Sequence, residues 1–131
     1  MIVVDTNVIV YLWLNGEFTE HSKRLLQKDS NWHAPLLWRS EFKNVLTLYL
    51  RKNLLPPNDA NEIMMNAEAM LRGKEYTIDS VEILTNVKKS TLSTYDLEFI
   101  VLAKSLNSKL VTLDKKILTE FPKLTKPLSG Y

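Results

Sequence analysis

The sequence predicts an α/β fold built on a mostly parallel sheet. Three observations lead there. Short β-branched apolar runs, "IVV" and "KLVTL" above all, read as buried strands. Longer segments with apolar residues three and four apart read as amphipathic helices. The two kinds alternate almost throughout, the pattern of side-by-side strands with helices on both faces. At 131 residues the chain is long enough for one domain with a real core, spanning 1–131, and too short for two comfortable ones.

Taken in order, "IVVD" is a short strand, unbroken and β-branched. "TNVIVYLWL" turns helical and "NGEF" ends it. "FTEHSKRLLQ" is an amphipathic helix. "NWHAP" is a strand stopped by Pro35, and "LLWRSEFKNVLTLYLRKN" a long helix. "LLPPN" is a turn whose Pro57 and Asn58 open the helix "DANEIMMNAEAMLR", closed by Gly73. "KEYTI" reads as a strand, "DSVEILTNVKKS" and "STYDLEFIVLAKSL" as helices, "NS" as a turn and "KLVTL" as a strand. "DKKILTEF" is a short helix, and "KLTKPLS" adds a last strand at the sheet edge, where Pro127 is tolerated.

The composition narrows the chemistry. There is no cysteine, so disulfides, thiolate zinc sites and cysteine nucleophiles are absent together. The three glycines, Gly16, Gly73 and Gly130, build neither a Walker loop nor a GxGxxG turn. The opening apolar run has no basic leader and is interrupted by Asp5, unlike a secretory signal. No segment reaches the ~20 apolar residues of a membrane span, so the expectation is a cytoplasmic protein without a membrane partner. A net charge of +2 points weakly to a polyanionic partner.

Four acids stand where acids are costly. In parallel sheets, ligands bind beyond the carboxyl ends of the strands. Asp5 ends the first strand and Asp114 follows "KLVTL", so both point to that edge. Glu41 shares a helical stripe with Leu37, Val45 and Leu48, which places it on a face expected to be buried. Asp96 shares one with Ile100 and Ala103. Each has a plain structural reading. Asp5 and Asp114 are suited to capping the helices after them. Ser93 and Asp96 have the spacing of a capping box. Gathered in one crevice the four would repel, each close pair by roughly 4 kcal/mol at ~4 Å and an effective dielectric near 20. A hard divalent cation such as Mg²⁺ would offset that repulsion and leave waters for substrate phosphates. Setting these four aside leaves 11 of the 15 acidic side chains against 17 basic ones. That balance suits a phosphate backbone.

The stretches "IVVDTNVIVYL", "APLLWRSEFKNVL" and "STYDLEFIVLAKSLNSKLVTLDKKI" resemble the PIN-domain ribonucleases, most closely the VapC type of bacterial toxin. They carry Asp5, Glu41, Asp96 and Asp114 in the family's order, and nearly the whole chain fits the family's length. The chain departs from the usual pattern in two places. Leu97 and Glu98 stand after the third acid, where alanine is common. Asn107 stands in a turn where glycine is common, and asparagine also tolerates left-handed backbone. The resemblance implies a three-layer α/β/α sandwich, Mg²⁺ or Mn²⁺ as cofactor, and endonucleolytic cleavage of RNA. It also implies a homodimer and a small antitoxin protein that blocks the site.

On this reading Asp5, Asp96 and Asp114 hold the metal, and Glu41 completes the site or positions the attacking water. Thr6 and Asn7 support it through hydrogen bonds to a metal-bound water or a phosphate, or simply cap the first helix. Arg39 and Lys43 flank Glu41, as RNA contacts or as a solvated helix face. Alternatives are an RNA-processing nuclease that is not a toxin, and a PIN scaffold that binds RNA or a protein and cuts nothing. A metal-free ribonuclease would need a histidine pair, and His21 and His33 lie in unrelated contexts.

Overall fold

A computed structural model describes all 131 residues. Five strands form one parallel sheet: β1 (Ile2–Val4), β2 (Trp32–Pro35), β3 (Glu75–Tyr76), β4 (Leu110–Thr112) and β5 (Thr125–Pro127). Their spatial order is β3-β2-β1-β4-β5. The chain therefore winds outward from β1 in one direction and, later, from β4 in the other. The switch falls between β1 and β4, where a parallel sheet opens a crevice at its carboxyl edge. The register pairs Val3 with Leu110 and Val4 with Val111. That pairing brings Asp5 and the residues after Thr112 to the same edge.

The helices are α1 (Thr6–Trp13), α2 (Thr19–Lys28), α3 (Trp38–Arg51), α4 (Pro57–Leu71), α5 (Ser80–Val87), α6 (Thr94–Ser105) and α7 (Lys115–Glu120). Helices α1 to α4 pack on one another over one face of the sheet; α6 crosses β1, β2 and β4 on the other and carries α5 outside it. The result is an α/β/α sandwich with a core of 24 buried apolar residues. β1 and β4 are buried along their whole length, as β-branched central strands between two helical layers should be.

Helix ends follow local chemistry. Pro57 opens α4 at a position where no N–H is needed. Gly73 ends it with φ of 79°, a conformation that a side chain would strain. Asn53 and Asn107 take the same left-handed backbone after α3 and α6. "KEYTI" and "DSVEILTNVKKS" are shortened at both ends, to two strand residues and eight helical ones. β3 and α5 lie at the periphery, where little packing extends them.

One stripe differs from expectation. The buried face of α3 is Trp38, Phe42 and Leu46, with Leu48 49% exposed. Two apolar stripes overlap on this helix, and the one holding the larger aromatic rings fills the core. Glu41 and Val45 belong to the other, beside the carboxyl edge of the sheet.

Candidate active site

The four acids arrive from four different elements. Asp5 follows β1 and caps α1; Glu41 lies in the first turn of α3; Asp96 lies in the first turn of α6; Asp114 follows β4 and caps α7. All four line one open cleft of about 470 Å³, with Thr6, Asn7, Val10, Tyr11, Leu14, Asn44, Val45 and Tyr49.

Asp5 is the most enclosed, 8% exposed. Its N–H bonds the Val111 carbonyl at 3.0 Å, which locks its backbone to β4. Its carboxylate accepts from the Thr6 N–H at 2.8 Å and from the Thr112 hydroxyl at 2.6 Å. Even so, burial dominates and pushes its pKa up from 3.8 to about 6, with Glu41 and Asp96 adding repulsion. Glu41 accepts from the Thr6 hydroxyl at 2.6 Å. It too titrates high, from burial first and then the Asp96 charge. Asp96 is raised by burial and by Asp114, with Lys116 partly offsetting them. Asp114 turns its carboxylate onto the N–H groups of Lys116 and Ile117, at 2.8 and 3.2 Å. The Thr112 hydroxyl, which donates to Asp5, also accepts from the Asp114 N–H at 3.0 Å, so one side chain ties two of the acids together.

The capping readings therefore hold alongside the shared cleft. Ser93 caps α6 by accepting from the Asp96 N–H at 3.1 Å. Thr6 does more than begin a helix, since it bridges Asp5 and Glu41. The amide of Asn7 lies 3.4 Å from Asp5, and its buried Oδ1 has no partner.

The PIN domain family matches residues 2–124 of the sequence. The chain belongs to the PIN domain family. Among curated proteins, "Ribonuclease VapC3" of Pyrobaculum aerophilum is 26% identical over 129 residues, covering 96% of this chain and 98% of that protein. Two solved structures share the fold. FitAcB from Neisseria gonorrhoeae superposes with a TM-score of 0.75 at 16% identity, each chain covered in full. FitAB bound to a DNA fragment, IR36, gives 0.74 at 17%, covering 98% of this chain and 95% of that one.

In this PIN chain, no three acidic or histidine side chains sit close enough to ligate one metal ion together. The hydrogen bonds explain why: Asp5, Glu41 and Asp114 are each turned toward a local donor. The donor set nevertheless fits a hard divalent cation. Every candidate ligand is an oxygen, the Asn7 Oδ1 is buried without a partner, and three carboxylates carry a burial and repulsion penalty that a cation would relieve.

Glu98 stands apart. It lines a neighbouring groove with Leu36, Leu37, Tyr76, Ile78 and Ile83, and feels Glu41 only through its charge. Asp96, not Glu98, is the acid of α6 that enters the cleft. Arg39 is also accounted for. Its guanidinium forks onto Glu75 at 2.6 and 2.7 Å and reaches Glu68, leaving it committed to packing α3 against β3 and α4.

Sequence reasoning did not single out Thr112, Asn44, Tyr11 or Tyr49. Thr112 had a signal, as the one polar residue of a buried strand two places before Asp114. Asn44 and Tyr49 lie on the Glu41 side of α3. Tyr11 keeps its place because residue 16 is glycine: a Cβ there would come within 2.9 Å of its ring.

No helix is long and apolar enough to cross a membrane.

Proposed function

We propose that this PIN protein is a Mg²⁺- or Mn²⁺-dependent endoribonuclease and the toxin of a toxin–antitoxin pair. The observation that carries the reading is the meeting of Asp5, Glu41, Asp96 and Asp114, from four elements, in one cleft at the switch point of the sheet. The curated relative named as a ribonuclease supports it.

Asp5, Asp96 and Asp114 would hold the cation, with Glu41 completing the set. When bound, the cation would lower the pKa of a water and stabilise charge on the leaving oxygen. The chain's own residues do the positioning. Thr112 and the Thr6 N–H fix the Asp5 carboxylate, and the Thr6 hydroxyl holds the Glu41 carboxylate beside it. Glu41, half-buried and titrating high, is suited to accept a proton from the attacking water. In-line attack forms a new phosphorus–oxygen bond and breaks the one to the 3′ oxygen, which takes a proton from solvent water as it leaves, while Glu41 returns its own to solvent. The products are a 5′-phosphate and a 3′-hydroxyl. The apolar wall of Val10, Tyr11, Leu14, Val45 and Tyr49 offers unpaired bases a surface, as single strands prefer aromatic platforms.

One observation favours a second reading. Because no three carboxylates stand at ligand distance, a scaffold that binds RNA or a protein partner without cutting is the alternative. The deciding experiment incubates purified protein with a mixed RNA pool in Mn²⁺, beside Asp5→Asn and an EDTA control. Cutting by wild type alone, abolished by EDTA, supports the nuclease. If nothing cuts and Mn²⁺ leaves the melting temperature of wild type unmoved, the scaffold reading replaces it.

A further inference from the structure

The acidic cleft has two ends of different chemistry. Two helices line it. On α1, Thr6, Asn7, Val10 and Tyr11 recur at helical spacing; on α3, Glu41, Asn44, Val45 and Tyr49 do the same. At about 1.5 Å per residue, Asn44 stands ~4.5 Å along the axis from Glu41, and Tyr49 ~12 Å. The acids therefore hold one end and the two tyrosines the other, with Asn44 between them. Four acids line the cleft, and no lysine or arginine does. No side-chain cation grips a phosphate there, so a strand that enters must be held through its bases.

The groups at the far end are free to do so. The Asn44 amide is exposed and makes no hydrogen bond within the chain, unlike Thr6 and Asn7. The Tyr11 ring is fixed before any ligand arrives. Phe18 meets it edge-on at 5.4 Å, and it fills the space left by Gly16, where a Cβ would come within 2.9 Å. A ring ordered in advance loses little entropy on binding.

We propose that Asn44 determines the specificity of this cleft by selecting an unpaired adenine, which Tyr11 and Tyr49 hold by stacking. The proposal rests on the reading of the cleft as an RNA site and adds which base it takes. A cleft of about 470 Å³ has the size of a small-ligand pocket, which admits an unpaired nucleotide and not a duplex. An amide offers a donor and an acceptor side by side. Adenine answers with the complementary pair on both edges that an unpaired base exposes, N6 with N7 and N6 with N1. Guanine shows two acceptors on its N7 edge. Pyrimidines have one ring to stack where adenine has two.

The test measures binding apart from cutting. Labelled uridine decamers with one central adenine, guanine or cytosine, or none, are titrated with the full chain in Ca²⁺ by fluorescence anisotropy. In parallel, a mixed RNA pool is cut in Mn²⁺ and the new ends are sequenced. Wild type should bind the adenine decamer about 10-fold tighter than the other three, and its cuts should fall beside adenine. Asn44→Ala changes an exposed side chain, so it should fold with an unaltered melting temperature. It should bind all four decamers alike, and its loss on adenine substrates should fall on KM more than on kcat. Tyr49→Leu, and Gly16→Ala through the displaced Tyr11 ring, should weaken binding to every decamer. A protein that cuts without favouring adenine, or that keeps the preference in Asn44→Ala, overturns the proposal and leaves the nuclease reading standing. A protein that cuts nothing yet binds the adenine decamer through Asn44 does the reverse. A preference for another base, or failure to bind any decamer, overturns the proposal too.

Discussion

Replacing Asp5 by asparagine should make the metal-free protein more stable at neutral pH while removing its response to divalent cations. The magnitude follows from the site. Asp5 is held with a pKa of about 6 against 3.8 for a free carboxyl. Between those values the folded chain keeps a proton that the unfolded chain has released. Stability therefore falls as pH rises through that window, and the loss is complete above it. The displacement corresponds to about 3 kcal/mol at pH 7.5. Asparagine is nearly isosteric and carries no charge. Its oxygen can still accept from Thr6, and its amide can donate to the Thr112 hydroxyl, which keeps a free lone pair. With imperfect geometry discounted, about 1–2 kcal/mol of net gain remains, or roughly 3–6 °C for a chain of this size. The assay is urea unfolding in EDTA at pH 7.5 and pH 5, followed by tryptophan fluorescence. The gain should shrink toward zero at pH 5, where wild type becomes protonated. An Asp5→Asn protein less stable than wild type at pH 7.5, or a difference indifferent to pH, would refute the claim that a buried carboxylate is held here against its own burial cost.

Other residues give separate tests. His33 bonds the Tyr76 hydroxyl at 2.8 Å and Asn31 at 2.9 Å, and burial holds its pKa below 6.5. Its sign is opposite to that of Asp5: the unfolded chain gains the proton first, so stability should drop as pH falls below 6.5. A His33→Gln protein should lose that part of the acid response in a pH series of melting temperatures. Glu75 accepts from both Arg39 and the Trp38 indole. Its change to alanine leaves the buried Trp38 N–H without an acceptor and Arg39 with Glu68 alone, and should cost about 1–3 kcal/mol in denaturant titration, with little change in cleavage. Thr112→Val keeps the shape of the strand but removes the hydroxyl that joins Asp5 to Asp114. It should cost about 1–2 kcal/mol and weaken the Mn²⁺-induced rise in melting temperature, and Thr112→Ser should restore that rise.

Much of the architecture was legible because β1 and β4 leave little choice. A run such as Ile2-Val3-Val4 followed by a helix signal belongs in the middle of a parallel sheet. From there Asp5 and Asp114 fall at one edge by topology alone. Asp96 was legible for the same reason that Ile100 and Ala103 are buried, since one helical stripe carries all three. What failed was rotation about the axis of α3. Periodicity detects a stripe without ranking two that overlap, and the bulk of Trp38 and Phe42 decided which faced the core. The partners of the acids were hidden for another reason. The Thr6 bond to Glu41 joins residues 35 apart, and the Thr112 bond to Asp5 joins residues 107 apart. No local pattern encodes either. Arg39 reads from the sequence as an RNA contact or part of a solvated helix face; its pairing with Glu68 and Glu75 is not legible there, because those acceptors come from elements whose placement beside α3 is a tertiary fact.

The same buried carboxylates that weaken the metal-free fold should govern cation affinity. A proton on Asp5 and a divalent cation in the cleft compete for one carboxylate, so the two equilibria are linked. At pH 5.5 a large fraction of Asp5 is protonated, given a pKa near 6, and a cation must displace that proton to bind. At pH 7.5 the proton on Asp5 is largely gone, and its charge adds to the repulsion with Glu41 and Asp96. Stabilisation by a fixed Mn²⁺ concentration should therefore grow from pH 5.5 to pH 7.5, while the metal-free protein weakens at Asp5 over the same interval. Differential scanning measurements with and without Mn²⁺ give both trends in one protein. A Mn²⁺ shift that is equal at the two pH values would separate the cation from Asp5 and place its binding elsewhere on the chain.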